Sequence, residues 1–134
     1  MLNNVMLIDD DDVTIMICEL RLTKSQFCKN VISFLSANEA LDYYKSQLAL
    51  PADKQVLPEL IFLDINMPEK SGWEFLSEFE KDVLPQIKAP QIAILSSTVD
   101  PEDTEKASYN PHLMGFINKP LTSESLAKFK LLMH

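Results

Sequence analysis

The sequence predicts an α/β fold: a doubly wound sheet of five parallel strands with five helices packed on its two faces. Three observations lead there. Short runs of apolar residues recur at 5–8, 31–35, 60–63, 92–95 and 114–117. They show no polar alternation, which suits strands buried on both faces, as in a parallel sheet. Segments with helical spacing separate the runs. Finally, acidic, hydroxyl or basic residues follow four of the runs. Ligands of open α/β sheets bind outside the carboxyl ends of the strands, so these polar groups converge on one edge.

Taken in order, the first run is Val5-Met6-Leu7-Ile8, and Asp9-Asp10-Asp11-Asp12 follow it directly. A first helix is expected from about Asp12 to Ser25, with Val13, Met16, Ile17 and Leu20 facing inward. Asp11 and Asp12 suit its start, where the macrodipole favours negative charge. After the second run, Asn38 can cap a helix carrying Leu41, Tyr44 and Leu48 on one face. Pro51 to Pro58 reads as a loop. The third run, Leu60-Ile61-Phe62-Leu63, ends at Asp64. Ser71-Gly72-Trp73-Glu74 then reads as a capping box before Phe75, Leu76 and Phe79. The fourth run, Ile92-Ala93-Ile94-Leu95, leads into Ser96. Asp100-Pro101 supplies a cap and a first-turn proline. The helix it starts has only Ala107 and Tyr109 as apolar residues before Asn110, so it is expected to be weakly held and mobile. The fifth run, Met114 to Ile117, is followed one residue later by Lys119. Thr122 can cap the last helix, with Leu121 and Leu126 as a hydrophobic staple and Leu126, Phe129 and Met133 as its apolar stripe.

Composition narrows the function. With 134 residues and 46% hydrophobic residues, the chain fits one domain with a real core. Net charge is -8 and Arg21 is the sole arginine, which disfavours direct nucleic-acid binding, because phosphate contacts need a basic face. Cys18 and Cys28 are too few for a disulfide framework and read as reduced small hydrophobes. No cationic region precedes the first apolar run, which argues against a signal peptide, and no apolar stretch approaches a membrane span. A cytoplasmic protein without membrane insertion is the simplest reading. There is no internal repeat.

The chemistry lies in the acids. Two carboxylates about 4 Å apart repel by roughly 4 kcal/mol at a protein surface, so gathering them predicts a divalent cation. Hard oxygen ligands suit Mg²⁺, held by Asp10 and Asp64 with Asp9 reaching it through water. Asp64 is then a candidate nucleophile toward a phosphoryl group, giving an aspartyl phosphate. Such transfer needs mainly positioning and charge neutralisation. Lys119 can pair with a phosphoryl oxygen, and beforehand with Asp64, while the Ser96 hydroxyl can donate to another oxygen.

Four pieces carry a resemblance: Ile8-Asp9-Asp10-Asp11; Leu63-Asp64-Ile65-Asn66-Met67-Pro68 with Gly72; Leu95-Ser96-Ser97; and Asn118-Lys119-Pro120. In this order and spacing the chain resembles the receiver domain of two-component response regulators, over nearly its whole length. The resemblance implies a flavodoxin-like three-layer sandwich with strand order 2-1-3-4-5. It implies Asp64 as phosphoacceptor, Asp10, Asp64 and the Asn66 carbonyl as Mg²⁺ ligands, and a cis peptide before Pro120. Ser96 and Phe116 would be the switch pair, biasing the face made by the fourth helix, fifth strand and fifth helix. The implied donor is a histidine kinase or a histidine phosphotransfer protein. A single receiver domain over residues 1–134 with no effector domain is expected, so output passes to a separate protein; a phosphorylation-dependent homodimer is a further form. The chain departs from the pattern at Ser97, usually a smaller residue, and in the segment Ser108 to Gly115.

Plainer readings stand beside these. Phe116, Trp73 and Tyr109 could simply pack, the latter two otherwise anchoring a partner. Asn66 and Thr98 either border the path of attacking water or are loop residues. His112 and His134 read as surface histidines. Two other functions compete. One is a haloacid-dehalogenase-like phosphohydrolase with Asp9 as nucleophile, since Asp9-Asp10-Asp11-Asp12-Val13 fits its Asp-x-Asp-x-(Thr/Val) pattern. The other is an interaction module that is never phosphorylated.

Overall fold

The computed structural model describes residues 1–97 and 100–132; the expectations for Thr98, Met133 and His134 lie outside the described residues. Five strands form one parallel sheet: β1 (Leu2–Ile8), β2 (Cys28–Phe34), β3 (Leu60–Leu63), β4 (Gln91–Ser96) and β5 (Leu113–Asn118). Their order is β2-β1-β3-β4-β5, as the resemblance implied. Five helices connect and follow them: α1 (Asp12–Lys24), α2 (Ala37–Leu48), α3 (Gly72–Glu78), α4 (Pro101–Ser108) and α5 (Ser123–Leu132). All five apolar runs fall within strands or overlap them closely.

Alternation along each strand splits the core in two. Met6, Ile8, Ile61, Leu63, Ile92 and Ile94 point to one face, where Leu41 and Tyr44 of α2, Phe75 of α3 and Phe79 just after α3 cover them. Val5, Leu7, Leu60, Phe62, Ala93 and Leu95 point to the other, under Ile15, Cys18 and Leu22 of α1 and Leu126 and Phe129 of α5. The central strands are buried on both sides, which is why their sequence does not alternate.

Helix starts follow local chemistry. Asp11 caps α1, accepting from the Val13 N–H at 3.0 Å. Ser71 and Glu74 form the reciprocal capping box expected for α3. The Thr122 hydroxyl oxygen accepts from the Ser125 N–H at 3.0 Å at the start of α5, with Leu121 and Leu126 both buried. Asp100 and Pro101 start α4 as expected, though the Asp100 side chain makes no capping bond.

Several expectations are corrected. Ser36, rather than Asn38, caps α2 by accepting from the Glu39 N–H at 3.1 Å. The face of α1 is reversed. Val13 (57%), Met16 (66%), Ile17 (39%) and Leu20 (49%) are exposed, and Ile15, Cys18 and Leu22 face the sheet. Both sets follow helical spacing, so periodicity alone cannot choose between them. The stretch after α3 continues as a π turn, Phe79–Val83, and a 3₁₀ turn, Leu84–Gln86. The loop expected from Pro51 to Pro58 contains one short 3₁₀ turn, Ala52–Lys54.

As its composition implied, α4 contributes no buried residue. Tyr109, just after it, is 78% exposed. His112 is half-buried, with its backbone N–H on the Asn110 side chain. Cys18 and Cys28 are buried free thiols. Among the described residues, no helix is long and apolar enough to cross a membrane.

Candidate functional site

The carboxyl ends of β1, β3, β4 and β5 meet at one edge of the sheet. Ile8 pairs with Leu63 and Leu63 with Ile94, so Asp9 and Asp64 leave adjacent strands side by side. The Asp64 N–H donates to the Ile8 carbonyl at 2.9 Å, which continues the ladder through this point. Lys119 is brought in by the register of β5. One extra residue, Met114, sits opposite the step from Ile92 to Ala93, so that Gly115 pairs with Ala93 and Asn118 with Ser96. Gly115, at φ +152°, occupies backbone space that other residues avoid. The Lys119 N–H then donates to the Ser96 carbonyl at 2.8 Å. The Lys119–Pro120 peptide is cis.

Ligand oxygens of Asp9, Asp10 and Asp64 all lie within 4.8 Å of one another. Asp9 (1% exposed) and Asp64 (4%) are buried, while Asp10 is exposed. The Lys119 ammonium stands 2.6 Å from Asp9 Oδ2 and 3.5 Å from Asp64 Oδ2. The Asp9 contact is an ion pair without good hydrogen-bond direction, which leaves that buried oxygen with accepting capacity. Asp9 Oδ1 accepts from the Asp11 N–H at 2.9 Å, and Asp64 Oδ1 accepts from the Asn66 N–H at 3.1 Å.

The charges do not cancel: three carboxylates face one ammonium. Burial, first of all, pushes the Asp64 carboxyl up to about 6; the Asn66 N–H and Lys119 oppose this, and the Asp9 charge and the Asp10 side chain add to it. For Lys119, burial disfavours the cation, but the pairing with Asp9 and Asp64 outweighs it and raises the ammonium above its usual range. An all-oxygen acidic set with surplus negative charge fits a hard divalent cation such as Mg²⁺.

The other residues singled out in the sequence are less uniform. Ser96 is fully buried at the end of β4. Phe116 pairs with Ile94, two residues before Ser96 on the same face of the neighbouring strand. It is half-buried against the α2–α3 core cluster. The Asn66 side chain is exposed. Trp73 bonds to α4, since its Nε1–H donates to Asp103 at 3.0 Å.

Two neighbours of the site were given no part in its chemistry by sequence reasoning. Cys18 lies beneath it, in a cleft of about 370 Å³ that it lines with Asp11, Thr14, Ile17, Lys119 and Leu121. Burial, helped by the Asp9 charge, pushes its thiol up to about 11, so it stays neutral. Gly72 presses on the phosphoacceptor candidate's own backbone. A Cβ there would stand 2.6 Å from the Asp64 carbonyl oxygen and 2.7 Å from the Ile65 Cα. Only the motif pattern, not any local signal, pointed to that glycine.

Comparison with known proteins agrees with this architecture. The response regulator receiver domain family matches residues 5–129. A two-component response regulator from Cytophaga hutchinsonii superposes with a TM-score of 0.85 at 28% identity, covering 98% of this chain and 97% of that one. The Vibrio cholerae chemotaxis protein CheY4 shares the fold, with a TM-score of 0.73 and 23% identity over 98% of each chain. The response regulator Rcp1 of Synechocystis is 34% identical over 71 residues, 53% of this chain and 46% of Rcp1. With the family match running from β1 into α5, the chain belongs to the response regulator receiver domain family of two-component signalling.

Proposed function

We propose that this receiver domain accepts a phosphoryl group on Asp64 from a phosphohistidine, and that the modification switches its binding to a separate output protein. Receiver domains are signalling proteins, generally not enzymes, that bind Mg²⁺ at an acidic aspartate cluster and interact with histidine kinases and output proteins. The observation that carries the reading is Lys119, with its ammonium between Asp9 and Asp64 at 2.6 and 3.5 Å inside a cluster of three acids.

In the transfer, an Asp64 carboxylate oxygen attacks phosphorus. The P–O bond forms, the P–N bond of the donor breaks, and the imidazole leaves with the electron pair and takes up a proton. Asp9, Asp10, Asp64 and the Asn66 carbonyl would hold Mg²⁺, which when bound neutralises phosphoryl oxygens. Lys119 offers its ammonium to another oxygen as negative charge leaves Asp64, and the Ser96 hydroxyl donates to a third. The same-face placement of Ser96 and Phe116 on β4 and β5 supports their coupling as a switch pair. That coupling would carry the signal to the face of α4, β5 and α5, for an output protein or a second copy of the chain. The exposed stripe of Val13, Met16, Ile17 and Leu20 begins beside the acids and supports docking of the donor there, whether a kinase or a phosphotransfer protein. Within the cell this chemistry belongs in the cytoplasm.

The haloacid-dehalogenase-like alternative is not favoured by the family match.

The test is incubation with Mg²⁺ and acetyl phosphate, followed by intact mass. Wild type gains one phosphoryl group only with Mg²⁺ present, and Asp64→Asn gains none. A Mg²⁺-independent gain, or a gain retained in Asp64→Asn and lost in Asp9→Asn, overturns the assignment.

A further inference from the structure

A helix that buries nothing still needs something to hold it. α4 lies against β5, and its described side-chain hydrogen bond and cation–π contact to the rest of the fold both run to Trp73 of α3. The Trp73 Nε1–H donates to Asp103 Oδ1 at 3.0 Å. One turn further along α4, the Lys106 ammonium lies over the same indole, 5.6 Å from the ring centroid. Just past the end of α4, the Asn110 side-chain amide donates to Glu80 Oε1 at 2.7 Å. Trp73 thus grips α4 from two positions with one ring, while its apolar body packs against the core beneath α3.

The residue before Trp73 touches the acceptor strand. The Gly72 N–H donates to the Ile65 carbonyl at 3.1 Å, and its Cα faces the Asp64 carbonyl so closely that no Cβ fits. A shift in the backbone of Asp64 or Ile65 therefore moves Gly72, and Trp73 with it.

We propose that Trp73 is a positioning residue that couples occupancy of Asp64 to the placement of α4, through the Asp64–Gly72 backbone contact and the Trp73–Asp103–Lys106 latch. This rests on Asp64 being the phosphoacceptor, and it adds a route to the output face separate from Ser96 and Phe116. The latch trades well with movement, because polar and cation–π contacts can be remade with water whereas a buried stripe cannot. Coupling is reciprocal, so breaking the latch also changes how tightly the acid pocket holds a phosphoryl mimic.

The test uses Mg²⁺ and beryllofluoride, with occupancy of Asp64 read by fluorine NMR and α4 by amide exchange over residues 101–109. In wild type, saturation changes exchange in α4 by about fivefold or more, the low end of ordinary allosteric coupling. Trp73→Phe keeps the ring but not the donor, and Asp103→Ala removes the acceptor. In both, fluoride still binds, the exchange response of α4 falls to less than half, and the half-saturating concentration moves about threefold or more. Asp103→Asn, which retains an acceptor oxygen, restores the response. If both latch variants bind fluoride with the wild-type midpoint and the wild-type response, the coupling is wrong while the phosphoacceptor reading stands. If wild type shows no Mg²⁺-dependent fluoride signal, the phosphoacceptor reading falls and takes the coupling with it.

Discussion

Asp64 carries the electrostatic tension of the pocket. It holds its proton up to about pH 6 in the fold, against 3.8 for a free side chain. A raised acid binds more protons folded than unfolded, so its contribution to stability is present below the ordinary value and lost as pH rises through about 6. In metal-free buffer at pH 7, Asp64→Asn should therefore be more stable than wild type by roughly 1–3 kcal/mol, with the gap closing toward pH 4. Millimolar Mg²⁺ should raise the melting temperature of wild type and leave the variant nearly unchanged. Thermal unfolding across pH, with chelator and with Mg²⁺, measures this; a variant less stable than wild type at pH 7 without metal contradicts it. Gly72 makes a second point at this scale. Gly72→Ala places a methyl group 2.6 Å from the Asp64 carbonyl oxygen. Backbone cannot yield as a flexible side chain does, so the loss should be about 3 kcal/mol, at the upper end for overpacking. Phosphorylation by acetyl phosphate should slow even below the variant's melting point, because the acceptor strand has moved. The meeting of Asp9, Asp10, Asp64 and Lys119 was legible in the sequence because these residues follow apolar runs. Their electrostatics were not, because burial and distance belong to tertiary structure.

Among the elements, α1 shows where periodicity stops informing. Apolar residues at 13, 15, 16, 17, 18, 20 and 22 surround the helix, so two faces both satisfy the spacing. The crossover from β1 to β2 decides the matter by turning Ile15, Cys18 and Leu22 onto the sheet. Ile15→Ala and Leu22→Ala should each cost about 2–4 kcal/mol in urea unfolding. Met16→Ser and Leu20→Ser should stay within about 0.5 kcal/mol. If the exposed stripe receives the donor, the latter pair should also slow phosphotransfer from a histidine phosphotransfer protein while leaving acetyl phosphate labelling unchanged. Equal destabilisation by both pairs would return the stripe to the core. Capping was legible where two side chains bond each other's backbone, as at Ser71 with Glu74. With a single candidate it slipped by two residues, from Asn38 to Ser36, because either polar side chain could start the helix and only backbone geometry chose.

For the molecule as a whole, the strand order was legible only through the motifs. Apolar runs say that strands are buried, not which strands are neighbours. What the runs did give was the convergence of their trailing polar residues, since every strand of a parallel sheet ends at the same edge. That convergence has a global consequence. The cluster of Asp9, Asp10, Asp64 and Lys119 draws on the ends of β1, β3 and β5 and cannot survive separation of the strands. A ligand bound there binds the native fold alone and stabilises it by mass action, by about 2.7 kcal/mol at a free concentration of one hundred times Kd. Amides of Leu7, Phe62 and Ala93 belong to fully buried central strands, and their exchange requires global opening. Saturating Mg²⁺ with beryllofluoride should slow all three by one common factor, near 100-fold at that concentration, regardless of their distance from the acids. Amides on exposed turns such as Ala52–Lys54, which open locally, should not respond. Slowing confined to residues beside the acids, with the three core amides unchanged, would mean that the pocket persists after the sheet has opened, and the strands could not then be what assembles it.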